Sequence, residues 1–459
     1  MVTIVLMGGA TCLIGLLPAY SSIGIAAPIF LITLRMLQGI AFGGEFGGAM
    51  IYVAEHAPNE QRGAWTAWIV STAGIGFLLA VAVITPARYL IGDADFIAWG
   101  WRIPFLLSSA LLAFSLWIRL TLDESPEFKK MKEQGAGSKA PVSETFGQWK
   151  YIKLVLIALF GIVPGQAVVW YTGQFYTLFF LTRVLKVDAS TANILLVSAT
   201  VLTTPLYILF GWLSDRIGRK PVYLSGVILG ALLIIPLFKT LTHYCNPTLE
   251  RALKEAPIVV MADPAQCSLQ FNPLGTAKFT SSCDIAKGSI VGYGLSYQNE
   301  LAPVGATARI KIGNTAITSY NDTGPDAAAK AKDFNTALAA ALKQGDLISG
   351  PANPAEINTP MALLVLIALL SFGTITFATT ASMLIELFPS RIRYTAMSFP
   401  YHLGIAWFGG FLPATAFMIV AATGDIYSGL YYPAFIATIS SIVVLLFAKE
   451  TSGSDIYTH

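Results

Sequence analysis

The chain has 459 residues, of which 55% are hydrophobic and only 12% charged, with a mean hydropathy of +0.64. Soluble domains carry about twice that share of charge, so the composition excludes an ordinary soluble enzyme and points to a polytopic membrane protein in contact with a lipid bilayer. A formal net charge of +3 is too small to suggest a nucleic-acid partner, and none is expected. Four cysteines and four scattered histidines show no metal-ligand spacing. No nucleophile–base pair or phosphate-cradling loop is present, so neither a metal, a cofactor nor a catalytic residue is expected. The first apolar run has no basic region ahead of it, which argues against a cleaved signal peptide.

A membrane helix needs about 20 predominantly apolar residues. Runs of this kind at 2–19, 26–50, 64–86, 101–120, 152–181, 191–213, 221–239, 360–385, 394–420 and 429–449 predict ten spans and an all-α fold. An even number places both termini on one side. Arg62, Lys129, Lys130, Lys132, Arg216, Arg219, Lys220, Arg391 and Arg393 all fall in loops on that side, whereas the loops near 20–28 and 421–428 hold no Lys or Arg. Basic residues flanking spans stay inside, so that side is predicted to be cytoplasmic.

The segment 121–150 begins charged and then turns rich in Gly, Ser and Pro, as a cytoplasmic linker between two bundles does. The predicted organisation is a bundle of four spans at 1–120, this linker, a second bundle at 151–240 and 360–449 interrupted by an insert at 241–359, and a cytoplasmic tail at 450–459.

The stretch GWLSDRIGRK at 211–220 sits between two long apolar runs. Its spacing G-x-x-x-D-R-x-G-R-K resembles the signature loop of the major facilitator superfamily, which joins the second and third helices of a six-helix half. A repeat agrees with that reading. Glu55, Pro58 and Arg62 follow the second span with the spacing that Glu386, Pro389 and Arg393 keep after the eighth. Equivalent loops would make these spans helices four and ten of a twelve-helix plan with parallel halves. LRMLQGIAFGGEFGGA (34–49), WGWRIPFLLS (99–108), LDESPEF (122–128) and ELFPSRIRYTAMSF (386–399) look like the metabolite:proton symporters of that superfamily, among them permeases for citrate, 2-oxoglutarate, shikimate and proline or betaine. Against the family plan, the first two helices and their own copy of the loop are absent, and the insert is additional.

The insert follows an outward span and precedes an inward one, which places it outside the cytoplasm. APIVVMADP and ATARIKIGNTAITSY read as strands. PDAAAKAKDFNTALAAALKQGD carries Phe334, Leu338 and Leu342 on one helical face. At roughly 119 residues it is too long for a bare loop, and a small α+β core is expected. Cys245, Cys267 and Cys283 allow three pairings; the shortest loop favours Cys267 with Cys283.

Arg35 lies within the second span, where an isolated charge is costly and is expected to face a bundle interior or wet cavity. Gln38 and Phe42 share its face, and the resemblance links such an Arg to proton coupling. Glu45 and Glu55 lie nearer the cytoplasm, with Glu45 the deeper coupling candidate. Gln166, Trp170 and Gln174 recur every four residues as a stripe, with Tyr171 beside it, on a helix that lines the substrate path in the family. Tyr401 and His402 fall on the eleventh helix of that plan, where a histidine could carry a proton. Asp215, Arg216, Gly218, Arg219 and Lys220, with Glu55, Arg62, Glu386, Arg391 and Arg393, form a predicted cytoplasmic gate. In it Asp215 is expected to meet the start of the eleventh helix.

The resemblance implies a monomeric secondary transporter of the bacterial inner membrane. It would carry a small polar metabolite together with a proton, an organic acid first because Arg35 lacks a visible counter-charge. The alternative is a non-transporting anchor whose insert binds a ligand or partner.

Overall fold

The structure is a computed structural model, and it describes residues 2–121, 140–255, 257–273, 276–345, 347 and 352–454. The LDESPEF motif, Lys129, Lys130 and Lys132, most of the linker and the last residues of the tail lie outside the described residues. Nine helices among the described residues are long and apolar enough to cross a membrane. They are α2 (Ala26–His56), α3 (Arg62–Ile91), α4 (Arg102–Thr121), α6 (Trp149–Val184), α7 (Ala189–Ile217), α8 (Arg219–Cys245), α12 (Thr359–Leu387), α13 (Arg393–Thr423) and α14 (Ser428–Phe447). The run expected to span at 2–19 is a shorter helix, α1 (Val2–Leu16), of 15 residues. Pro18 has no N–H to continue the helix and disfavours helical backbone at Leu17, so the helix stops early. A short helix, α5 (Pro141–Gly147), leads into α6.

α1, α2 and α4 pack together, α3 joins them while packing chiefly against α7 and α12, and the remaining membrane helices form a second bundle. Small residues set the approach distances, as they do where lipid supplies no hydrophobic drive. A Cβ on Gly8 of α1 would meet Leu112 at 2.6 Å, and one on Gly15 would meet Phe105 at 2.9 Å. In the second bundle α12 is the central helix, buried continuously from Phe372 to Glu386. Gly226 of α8 allows close contact with it, since a Cβ there would reach Ile375 at 2.8 Å. Three π turns interrupt α6, at Ala158–Ile162, Thr172–Tyr176 and Phe180–Val184, and one interrupts α13 at Ile405–Gly410.

Between α8 and α12 the chain leaves the bundle. The polar run KTLTHYC looked like loop in sequence, yet α8 continues through it to Cys245 because Phe238, Leu241 and Thr242 are buried on its inner face. Beyond it lie α9 (Pro247–Glu255), β1 (Ile258–Ala262), α10 (Ser282–Gly292), β2 (Gln298–Leu301), β3 (Arg309–Ile312), β4 (Thr315–Thr318) and α11 (Ala327–Gln344). The strands make one sheet ordered β2-β1-β3-β4. β1 runs parallel to β2 and antiparallel to β3, with Val260 opposite Ile310. β3 and β4 form a hairpin in which Ile310 faces Ile317. Phe334, Leu338 and Leu342 turn inward from α11 onto this sheet. Cys267 and Cys283 form a disulfide with Cα atoms 5.2 Å apart, while Cys245 is buried and free.

This α+β unit is fastened to three helix ends of the second bundle. Asn246 Nδ2 donates to Leu185 O at the end of α6, at 2.9 Å. The N–H of Asn358 donates to Tyr244 O on α8, at 2.9 Å. Tyr297 N–H donates to Gly424 O past the end of α13, and Asn299 Nδ2 to Thr423 O at 3.0 Å. Gly424 has φ +86°, the left-handed region that glycine enters freely, and the tight approach of Tyr297 leaves no room for a Cβ.

Candidate functional site

At the end of the bundles opposite the insert, buried charges join the two halves. The repeated Glu-x-x-Pro-x-x-x-Arg elements exchange partners. Arg393 of the second half donates to Glu55 of the first at 3.2 Å, and Arg62 of the first donates to Glu386 of the second at 3.2 Å. Arg62 and Glu386 are fully buried side chains. Arg219 extends the second pair, reaching Glu386 Oε1 at 3.2 Å and Asp215 Oδ1 at 2.6 Å. Two guanidiniums thus face two carboxylates, which compensates charges that burial alone would make costly. Thr451 Oγ1 donates a further hydrogen bond to Glu386 at 2.8 Å.

Gly211, Asp215, Gly218, Arg219 and Lys220 of the 211–220 motif each contribute to this end of the bundles. Gly211 lies against Gly63, where a Cβ would meet the Gly63 carbonyl at 2.6 Å. That contact brings Asp215 to the first turn of α3, where it accepts from the N–H groups of Gly63 and Ala64, both at 2.8 Å. These donors have no partner within the helix, and the helix dipole adds to the attraction. The expected partner of Asp215 was the start of α13; the structure places it at the equivalent point of the other half, the start of α3. Gly218 has φ +102° and turns the chain into α8. Arg216 is exposed and covers Trp212 at 4.2 Å. Lys220 Nζ donates to Leu445 O at 2.9 Å and Ala448 O at 2.8 Å, at the C-terminal end of α14. Glu450 then closes over the start of α8, accepting from Arg219 N at 2.9 Å and Lys220 N at 3.0 Å. Arg391 stands apart from the buried cluster and pairs with Glu144 of α5 at 2.9 Å.

Nearer the middle, aromatic rings from both halves meet. Trp170 of α6 donates from Nε1 to Tyr207 Oη of α7 at 2.9 Å. Its ring lies 5.2 Å from Tyr171 and 5.6 Å from Phe377 of α12. Phe46 of α2 stacks on Tyr401 at 5.1 Å and also approaches Phe377 at 6.4 Å. Gly373 lies flush against Trp170, and Gly409 against Tyr171, so both rings seat directly on neighbouring backbone. His402 packs edge-on to Phe42 at 6.0 Å and its Nδ1 contacts Ser398 O at 2.8 Å. Its Nε2 is buried with no hydrogen-bond partner among the described residues.

The predicted stripe is divided. Gln166 is buried with an unpartnered Oε1 among the described residues, Trp170 joins the aromatic cluster, and Gln174 lies half-buried in a π turn. Arg35 is exposed, donating to Gln38 at 3.2 Å with Phe105 beneath it at 6.0 Å, and Gln38 continues to Thr11 at 2.6 Å. It therefore turns toward α1 and α4 rather than the aromatic cluster. Glu45 accepts from Thr3 at 2.9 Å. Tyr207, Phe46 and Phe377 were not singled out from sequence; a tyrosine in an apolar helix at Pro205 gave the only signal.

Long apolar helices in two bundles with a charged seam between them define a multi-pass membrane protein of the two-bundle helical class. The sequence pattern of the Major Facilitator Superfamily matches residues 1–242, and the chain belongs to that family. It is 35% identical over 246 residues to the shikimate transporter of Escherichia coli strain K12, covering 52% of this chain and 55% of that protein. It is 34% identical over 246 residues to the proline/betaine transporter of the same strain, covering 52% of this chain and 49% of the other. The chain spans about half the length of these relatives. The proton:xylose symporter XylE, solved with 6-bromo-6-deoxy-D-glucose, has the same fold at a TM-score of 0.55 and 14% identity, covering 99% of this chain and 81% of that one.

Proposed function

We propose that the chain is a secondary active transporter, not an enzyme, that moves a small polar metabolite with a proton across the bacterial inner membrane by alternating access. The observation that carries this reading is the exchanged pairing of Glu55 with Arg393 and Glu386 with Arg62. Ion pairs that bridge two bundles at one end hold that end shut, and separating the bundles breaks all of them together. A substrate bound between the halves is then exposed to the opposite side. On this reading the sealed end and both termini are cytoplasmic and the insert lies outside, which the basic loops favour. The chain is taken to act as a monomer.

The substrate is read first as an organic acid, although Arg35, the counter-charge expected from sequence, turns toward α1 and α4 and is not assigned to hold it. The shikimate transporter, with which this chain aligns over about half its length, is named for such a compound. A second reading is favoured by Trp170, Tyr171 and Tyr401, whose ring faces suit a quaternary ammonium by cation–π attraction. Uptake into proteoliposomes with an imposed pH gradient tests both. Gradient-driven uptake blocked by carboxylates supports the first reading, and block only by quaternary ammonium compounds replaces it with the second. No gradient-dependent uptake of either class would overturn the transport assignment.

A further inference from the structure

The insert contains a groove of about 840 Å³, lined by none of the residues of the charged seam or the aromatic cluster. One wall is β4, the last strand of the sheet, and the chain that continues from it to Asn321; the other is a flank of α11. Seven consecutive residues from Thr315 to Asn321 line it, which is the signature of a strand edge rather than a strand face.

The hairpin register shows what that edge offers. Thr315 and Ile317 pair with β3, and the N–H of Ser319 donates to Ala308 O at 2.8 Å. Antiparallel pairing alternates, so the N–H and C=O groups of Ala316 and Thr318 point outward into the groove. No turn or loop backbone hydrogen bond engages either residue among the described residues. The Ser319 side chain lines the same groove, is 5% exposed, and its Oγ has no partner among the described residues either. Buried or not, these groups are an unfilled set of donors and acceptors along one line.

The two walls match in length. α11 runs antiparallel to β4: Tyr320 contacts Phe334 at 5.7 Å, and Gly345 lies against Ile312 beside the hairpin turn. From Lys330 to Gln344 the helix rises about 21 Å. From Thr315 to Asn321 the strand advances about 20 Å. The helix flank between is Ala337, Ala340 and Ala341, which leaves the floor low enough for a backbone to lie close. Lys330 and Asp333 stand together at one end, so the walls carry no net charge.

We propose that this groove binds an extended peptide segment of about six residues, added as a fifth strand to the edge of β4. Main-chain hydrogen bonds to Ala316 and Thr318 hold the segment in register, and alternate side chains rest on the alanine floor. Because the floor is shallow and the walls are neutral, the segment is uncharged, with small or β-branched side chains on the face toward α11. A compact solute would occupy one part of this trough; a strand spans all of it.

The test uses the full chain in lipid nanodiscs with its disulfide intact, and it needs no transport, so its outcome is separate from that of the uptake assay. A displayed heptapeptide library is selected against these nanodiscs and against empty ones, and recovered sequences are resynthesised for fluorescence anisotropy. The expected binder weakens at least tenfold when Ala340→Trp fills the floor. It weakens equally when its own amides are N-methylated on one alternate set of residues, and keeps its affinity when the other set is methylated. Ala316→Pro, which removes an outward N–H without breaking a bond to β3, gives a second reading of the same edge once circular dichroism shows the insert still folded. Failure to recover any sequence above the empty-nanodisc background overturns the proposal. So does a binder indifferent to both Ala340→Trp and methylation, or a groove that instead takes free amino acids or sugars and loses them on Ala340→Trp.

Discussion

Replacing Asp215 with Asn isolates the charge of the seam while leaving its shape. The carboxylate accepts from Gly63 N, Ala64 N and Arg219 Nη1, at 2.8, 2.8 and 2.6 Å. An amide keeps one oxygen for Gly63 and Arg219 and turns an NH₂ toward the Ala64 N–H, so one charge-assisted bond is lost and the others weaken. One such bond is worth about 1.5–3 kcal/mol, and a charge at a helix N-terminus about 0.3–1 kcal/mol more. The closed arrangement should lose about 2–3 kcal/mol relative to the open one, a shift of roughly 30- to 160-fold. Met50 is 1% exposed and lies on the same helix as Glu55, so a cysteine there is shielded while the seam is shut. In a background carrying Cys12→Ala and Cys245→Ala, Met50→Cys should react with a permeant maleimide at a rate raised by that factor in Asp215→Asn. An unchanged rate, with normal yield in the membrane, would refute the idea that Asp215 holds the bundles together.

Exchanging Glu55→Arg with Arg393→Glu should restore uptake that either single reversal abolishes, because the pair bridges the halves at 3.2 Å; an inactive double variant with normal yield contradicts this. Gly63→Ala places a methyl 2.6 Å from the Gly211 carbonyl, which backbone cannot yield, and should raise maleimide labelling of the same Met50→Cys reporter without changing helix content by circular dichroism. Trp170→Phe removes the 2.9 Å bond to Tyr207, worth about 0.6–1.7 kcal/mol in a membrane protein, and should raise the KM for uptake about 3- to 18-fold at similar kcat. Cys267→Ser frees a loop of 16 residues and should cost the insert about 3 kcal/mol, read as loss of protease resistance between 257 and 345 while the bundles stay intact.

The spans were legible because hydropathy over about 20 residues is a strong signal, and the hairpin and α11 because their periods are clean. The Glu-Pro-Arg repeat was also visible. Its partner exchange was not: spacing within a chain says nothing of which copy faces which, and Arg62 meets Glu386 across 324 residues. Asp215 illustrates the same limit, since a helix N-terminus attracts an acid wherever it stands, and both halves offer one. The aromatic cluster was half seen. Trp170 and Tyr171 stood out beside glutamines, but Phe46 and Phe377 in apolar helices look like any lipid-facing or core phenylalanine. The Cys267–Cys283 loop could be favoured by length alone. The end of α8 was misplaced because Lys239, Thr240 and His243 on the outer face masked the buried Phe238, Leu241 and Thr242 on the inner one.

The attachment of the insert at Leu185, Tyr244 and Gly424 makes it an outrigger of one bundle. Three anchor points on three different helices remove the freedom to swing, so any tilt of the second bundle is copied by the sheet at larger radius. A fluorophore or antibody fragment fixed to the exposed face of α11 would therefore act as a lever arm, turning a small rocking angle into a displacement large enough to follow one molecule at a time.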